Sequence, residues 1–145
     1  MKLFLDTSVL VAAVIVQHSD HERSFALLER IQNGKDEGFI SAHSLAELYA
    51  ILTKIPAPLR HSPAQALLSI EENILKHFKI TSLSGHDYAA TVREAAANGI
   101  QGGTIYDAVL VKGAGKSKVD RVFTLNLKHF RAVEPPEIVD ILAAP

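Results

Sequence analysis

Short apolar runs closed by polar residues alternate along the chain with longer stretches in which apolar positions recur every three or four residues. The first run, Leu3-Phe4-Leu5, stops abruptly at Asp6. A run this short with a polar boundary suits a strand buried on both faces, as in a parallel sheet. After Thr7-Ser8 the block Val9 to Val16 is apolar throughout and long enough for a helix. Glu22 to Gln32 carries Phe25, Leu28 and Ile31 at helical spacing, and Asn33-Gly34 closes it, glycine being favoured just past a helix end. Gly38 to Ser41 predicts a second strand and Ser44 to Leu52 a helix, stopped by Ile55-Pro56-Ala57-Pro58. The Pro-containing stretch Ile55 to Pro63 is expected to be a mobile surface loop. A helix is expected from Pro63 to His77, a third strand at Phe78 to Thr81, then helices over Ser84 to Asn98 and Thr104 to Ala114. Arg121 to Thr124 predicts a fourth strand, and Arg131 to Val133 a short fifth one at an edge. Strands alternating with helices argue for βαβ units around a parallel sheet. No composition shift or repeat divides the chain, so residues 1–145 are expected to form a single domain.

The order of elements gives the acids their interest. In open α/β sheets, ligands bind beyond the carboxyl ends of the strands. Asp6 follows the first strand, Glu47 comes a few residues after the second, and Asn126 follows the fourth. Parallel strands bring these positions to one end of the sheet. A plainer explanation exists for each acid. Asp6 suits a helix N-cap. Glu47 stands three residues after Ser44, and Asp107 three after Thr104, as in a capping box. Convergence favours a site, because capping does not require it, but spacing alone does not bring Asp107 to the others. Were the three carboxylates to meet, they would resist ionising together. A divalent cation resolves that repulsion, and Mg²⁺ suits a few carboxylates with waters and a phosphate.

Bulk properties narrow the chemistry further. With 145 residues, 48% of them hydrophobic, and a formal net charge of -1, the chain has the composition of an ordinary globular protein without an overall basic signature. A local basic rim around an acidic centre is still compatible with a nucleic acid partner. No cysteine is present, which excludes thiolate metal sites and thiol nucleophiles. The longest uninterrupted apolar run is too short to cross a bilayer, and Met1-Lys2 leads directly into the first strand, so a cytoplasmic location without membrane attachment is expected. Gly113-Ala114-Gly115-Lys116-Ser117 lacks the leading glycine of a P-loop, Leu110 standing in its place, and ends a helix instead of opening one. The histidines show no HExxH-type zinc pattern and are expected at the surface.

Four blocks in order resemble the PIN-domain family: Leu5-Asp6-Thr7-Ser8-Val9-Leu10, Ser44-Leu45-Ala46-Glu47-Leu48-Tyr49, Ile105-Tyr106-Asp107-Ala108, and Val122 to Phe130. Length and layout are most similar to its VapC-type toxin ribonucleases. The resemblance implies a three-layer α/β/α sandwich with a central, mostly parallel sheet of four to five short strands. It implies a metal-dependent endoribonuclease, using Mg²⁺ with Mn²⁺ as a substitute, that hydrolyses RNA phosphodiester bonds with water as nucleophile. Carried over residue by residue, Asp6, Glu47 and Asp107 are the catalytic acids and metal ligands, Asp6 and Asp107 the principal ones. Thr7, Ser8 and Thr124 would orient those acids or the attacking water. Many relatives have a fourth acid where this chain has Asn126, which could bond a metal-held water but brings no charge. Lys54, Arg60, Lys112, Lys116, Lys118 and Lys128 are candidates for phosphate contacts, each set against the usual role of a solvated surface cation. Expected partners are an RNA substrate, a cognate antitoxin protein and a second copy of the chain in a homodimer. The alternatives are an RNA-processing nuclease of this fold without an antitoxin, and an inactive domain that only binds RNA or protein.

Overall fold

The central strand β1 (Lys2–Leu5) is buried from Leu3 onward, and its side chains alternate between two separate cores. Leu3 and Leu5 face a core built from helices α1 (Thr7–Val14), α2 (His21–Gln32), α3 (Ala42–Lys54) and α4 (Pro63–Ile70). Phe4 faces the other, with Leu110 and Ala114 of α6 (Thr104–Ser117), Val122 of β4 (Arg121–Phe123) and Phe130 of α7 (Leu127–Ala132). Helix α5 (Gly85–Ala97) lies outside α6, joined to it by the pairs Lys112–Glu94 and Lys116–Asp87. With β2 (Glu37–Ser41), β3 (Phe78–Thr81) and β5 (Leu142–Ala143), the sheet runs in the order β3-β2-β1-β4-β5, every pairing parallel. These relations come from a computed structural model, which describes residues 1–133 and 141–145.

The three-layer α/β/α arrangement agrees with the alternation of strand and helix patterns, and four of the strands fall where the apolar runs place them. The fifth does not. Arg131 to Val133 was expected to be extended; instead Leu127–Ala132 is helical and the edge strand is Leu142–Ala143. Phe130 explains the difference: it is fully buried in the second core, and its amide reaches the carbonyl of Asn126 at 3.1 Å, closing a helical turn. Helix α1 begins earlier than the apolar block suggests, because the Asp6 carbonyl accepts from the amides of Val9 and Leu10. The expected helix Pro63 to His77 is α4, opened by a Ser62–Gln65 capping box, continued by a π-helical segment at Glu71–Leu75. The connection from Ile55 to Pro63 is tied down by Arg60 Nε on the Ile55 carbonyl and by the His61 amide on the Leu52 carbonyl, both at 2.9 Å.

Gly38 in β2 is a packing requirement. A Cβ there would lie 2.7 Å from both Ile31 Cγ2 and Phe78 Cδ1, closer than carbon atoms approach. Gly38→Ala is expected to cost about 1–3 kcal/mol through overpacking. Thermal unfolding checks it: a Tm several degrees lower is expected, and an unchanged Tm would mean that Ile31 and Phe78 yield freely.

Candidate active site

Each parallel strand delivers its polar successor to the same edge. Asp6 follows β1, and its amide donates to the Phe123 carbonyl at 3.0 Å, holding it against the end of β4. Thr124 follows β4 and donates its own amide to Ala143 at 3.0 Å. Ser41 ends β2 and caps α3, accepting from the His43 amide. That start places Ser44 inside the helix, so the capping box proposed for Ser44 and Glu47 does not form. The box proposed for Thr104 and Asp107 is absent too, since α6 is preceded by Gly103 and has no side-chain cap. Asp6 does precede α1, but its side chain makes no capping bond. The plain explanation for the acids is thereby weakened at each position.

The Asp6 carboxylate is held with particular care. It is only 3% exposed, and its Oδ2 accepts from Ser8 Oγ at 2.6 Å and Thr124 Oγ1 at 2.7 Å. Each hydroxyl also accepts a backbone amide: Leu125 N reaches Ser8 Oγ at 3.0 Å, and Asn126 N reaches Thr124 Oγ1 at 2.9 Å. A hydroxyl has one proton to give, so these amides orient both protons onto Oδ2. Oδ1 lies outside both hydroxyl bonds. Thr7 behaves differently from Ser8: its hydroxyl donates to Ser44 Oγ at 2.9 Å and ties α1 to α3, touching no acid.

Electrostatics connect the three acids. Burial pushes the Asp6 carboxyl above its ordinary value, against the lowering effect of the Ser8 and Thr124 bonds. Glu47 is raised first by burial; nearby His43 counters this, while the charges of Asp6 and Asp107 add to it. Asp107 is raised by burial and then by Asp6, with His129 opposing at 3.9 Å. Asp6 at the N-cap of α1 and Asp107 in the first turn of α6 also lie where the helix dipole favours negative charge, whereas Glu47 is in the second turn of α3. Among the described residues, no three acids or histidines are drawn together tightly enough to form a ready-made metal cage. The donor set nevertheless fits a hard divalent cation. Glu47 Oε2 is buried without a hydrogen-bond donor, His43 Nε2 standing 3.1 Å away but out of line. A cation would satisfy that oxygen and relieve the repulsion that raises Glu47 and Asp107.

The basic candidates divide by place. Lys116 and Lys118 lie at the far end of α6 from Asp107; Lys116 is engaged by Asp87, and Lys118 occupies the left-handed turn after the helix. Lys112 pairs with Glu94 at 3.4 Å. Lys128 is exposed in the first turn of α7, beside Asn126. Lys54 stands at the end of α3, in a shallow groove with Glu47, Ala50, Ile51 and Ile55. Arg60 spends its Nε on the Ile55 carbonyl. Asn126 precedes α7 with an exposed side chain that makes no capping bond.

Two residues at this edge were not singled out in the sequence. His43 lies one turn before Glu47 on the same face of α3, a spacing that could have flagged it. Tyr106 stacks on His43 with ring centroids 5.4 Å apart and planes 6° from parallel. Nothing in the sequence links those two helices.

Comparisons with known proteins agree with this architecture. Ribonuclease VapC40 of Mycobacterium tuberculosis is 30% identical over 132 residues, covering 91% of this chain and 90% of that protein. VapC20 of the same organism, a sarcin-ricin loop cleaving toxin, superposes with a TM-score of 0.69 over 90% of this chain and 94% of that one, at 14% identity. VapBC2 from Rickettsia felis, solved bound to a DNA fragment from its promoter, gives 0.68 over 100% and 99% at 21% identity. At those identities the two structures speak for the fold alone. The PIN domain model matches residues 3–134, and the chain belongs to the PIN-domain family.

Proposed function

We infer that the protein is an endoribonuclease dependent on a divalent cation, Mg²⁺ or Mn²⁺, and the toxin of a toxin–antitoxin pair. The observation that carries this reading is that Asp6, Glu47 and Asp107 lie near enough at the carboxyl end of the sheet for their charges to act on one another, with Asp6 locked in place by two oriented hydroxyls. The similarity to proteins named as VapC ribonucleases supports RNA as the substrate, and the likeness to toxin–antitoxin structures supports an antitoxin partner. The family match over residues 3–134 supports reading the chain as one domain of this kind. Its place is the cytoplasm, where its substrate is found; among the described residues no helix is long and apolar enough to cross a membrane.

In this reading Asp6 and Asp107 hold the cation and Glu47 completes the ligand set. When bound, the ion supplies a water of lowered pKa and offsets charge developing on the phosphodiester. Ser8 and Thr124 keep the Asp6 carboxylate from turning, and their amide partners keep the hydroxyls from turning. In this reading Lys128, exposed in the first turn of α7, and Lys54, at the end of α3, receive RNA phosphates. Thr7 acts at a distance, fixing α1 against α3.

The test is cleavage of single-stranded RNA by chelator-treated protein, with and without added Mn²⁺. Cleavage restored by the ion is expected; a protein that cuts RNA equally without it, or not at all with it, contradicts the reading. Asn126 refines the same titration. Ligand charge governs divalent affinity, so Asn126→Asp is expected to lower the Mn²⁺ concentration for half-maximal cleavage. Unchanged metal dependence in that variant, with full activity in Asn126→Ala, would place Asn126 outside the site.

A further inference from the structure

Tyr106 is an exposed aromatic residue at the mouth of an acidic centre. It is 55% exposed, whereas the side chain of its neighbour Asp107 is only 19% exposed. One face of its ring lies against His43 in a nearly parallel, offset stack. His43 in turn stands 3.1 Å from Glu47 Oε2. The ring therefore rests against a second ring, and that second ring stands beside one of the acids. An isolated surface tyrosine would be free to turn; this one is held on one side and open to solvent on the rest.

We propose that the Tyr106–His43 stack is a platform for an unpaired nucleobase of the RNA, seated beside the phosphodiester that the acids attack. This rests on the nuclease reading of the site and deepens it. Every base has a π-face, so stacking on an aromatic ring binds single-stranded nucleic acid with little regard to sequence. Single-stranded RNA offers bases that can be splayed out onto such a ring, whereas bases in a duplex are already stacked. The platform would thus select unpaired segments and set the register of the backbone, bringing one phosphate to the carboxylates. An acidic centre repels phosphate by itself, and an uncharged stacking contact at its rim supplies attraction that the carboxylates do not oppose.

The experiment compares wild type, Tyr106→Phe and Tyr106→Leu in steady-state cleavage of a single-stranded RNA, with abasic sites introduced one position at a time. Tyr106→Phe keeps the π-face and is expected to keep the wild-type KM. Tyr106→Leu is expected to raise KM about tenfold, the lower range of the loss of one stacked base, with kcat little changed. In wild type, one abasic position near the cut is expected to raise KM similarly, and that penalty should vanish in Tyr106→Leu. Equal KM in all three proteins overturns the proposal. So does a fall in kcat alone, which would mark Tyr106 as a support for His43 and Glu47, and so does an abasic penalty that persists in Tyr106→Leu. Should the wild type cut no RNA, fluorescence anisotropy with the same oligonucleotide separates the two readings. Weaker binding by Tyr106→Leu than by Tyr106→Phe keeps the platform while the nuclease assignment falls; equal binding removes the platform as well.

Discussion

Asp6→Asn is expected to reduce RNA cleavage by at least about a hundredfold, the scale of losing a group that acts on transition-state charge, and to raise the Tm of the metal-free protein. Asn keeps the shape of Asp and can still accept from Ser8 and Thr124, so the strand end should hold its geometry. What disappears is a buried negative charge. The same variant at Asp107 is expected to lose activity to a comparable extent and to gain less stability, because Asp107 is less deeply buried. The stability effect has a definite pH dependence. The folded pKa of Asp6 lies above its ordinary 3.8, chiefly through burial. A carboxyl raised in this way contributes stability that is complete below the unfolded pKa. That contribution is lost as pH climbs through the raised folded value, because the native protein holds a proton the unfolded chain has released. Glu47 and Asp107 shift in the same direction and add to the trend. The metal-free wild type should therefore lose Tm relative to Asp6→Asn as pH rises from the ordinary carboxylate range towards neutrality. Thermal melts of both proteins across that range check the sign. A variant that folds and cleaves at the wild-type rate would exclude Asp6 from the chemistry. A variant that unfolds would restore Asp6 to a mainly structural role at the start of α1.

The second large effect is on the host cell. Expression of this chain alone is expected to arrest growth, and co-expression with its cognate antitoxin to restore growth. The side chains of Glu47 and Asp107 are partly exposed, so the carboxylates are within reach of cellular RNA. They also have the charge to attract an arginine, whose planar guanidinium meets carboxylates with paired, charge-assisted bonds. Such a partner would return the raised pKa values of Glu47 and Asp107 towards the ordinary range. By mass action it would also stabilise the fold, by about 4 kcal/mol at a partner concentration a thousandfold above Kd. A Tm that rises with partner concentration for wild type, and rises much less for Asp6→Asn, would place the contact on the acids. Harmless expression of a protein that cuts RNA in the tube would contradict the toxin assignment.

Much of the fold was legible because a central parallel strand buries both faces. Leu3-Phe4-Leu5 had to be apolar at every position, and a run of that kind reads clearly against Asp6. The edge of the sheet was less legible. Leu142–Ala143 is too short and only partly buried to leave a strand pattern, while Arg131 to Val133 reads as a strand because three residues do not distinguish the two periods. Asp6, Glu47 and Asn126 could be brought to one end of the sheet from strand order alone, and Ser8 only through the family resemblance. Asp107 reaches them through the packing of α6 across the second core, which no spacing encodes. Thr7 illustrates the limit at the scale of a single bond: two adjacent hydroxyl residues look alike in sequence, yet Ser8 turns to Asp6 and Thr7 to Ser44. The stack of Tyr106 on His43 is of the same kind, a contact between helices far apart in the chain.

The central claim is that Asp6, Glu47 and Asp107 form one cation site, and direct measurement of Mn²⁺ binding tests it most closely. Paramagnetic resonance on chelator-treated protein should show saturable binding by the wild type. Calorimetry in buffers of different ionisation heat should show proton release on binding, as carboxyls with raised pKa values give up their protons to the ion. Asp6→Asn and Asp107→Asn should each weaken that affinity by about tenfold or more, the range seen when groups that support a metal are lost. Mn²⁺ bound with wild-type affinity by both variants would show that the three acids do not share an ion.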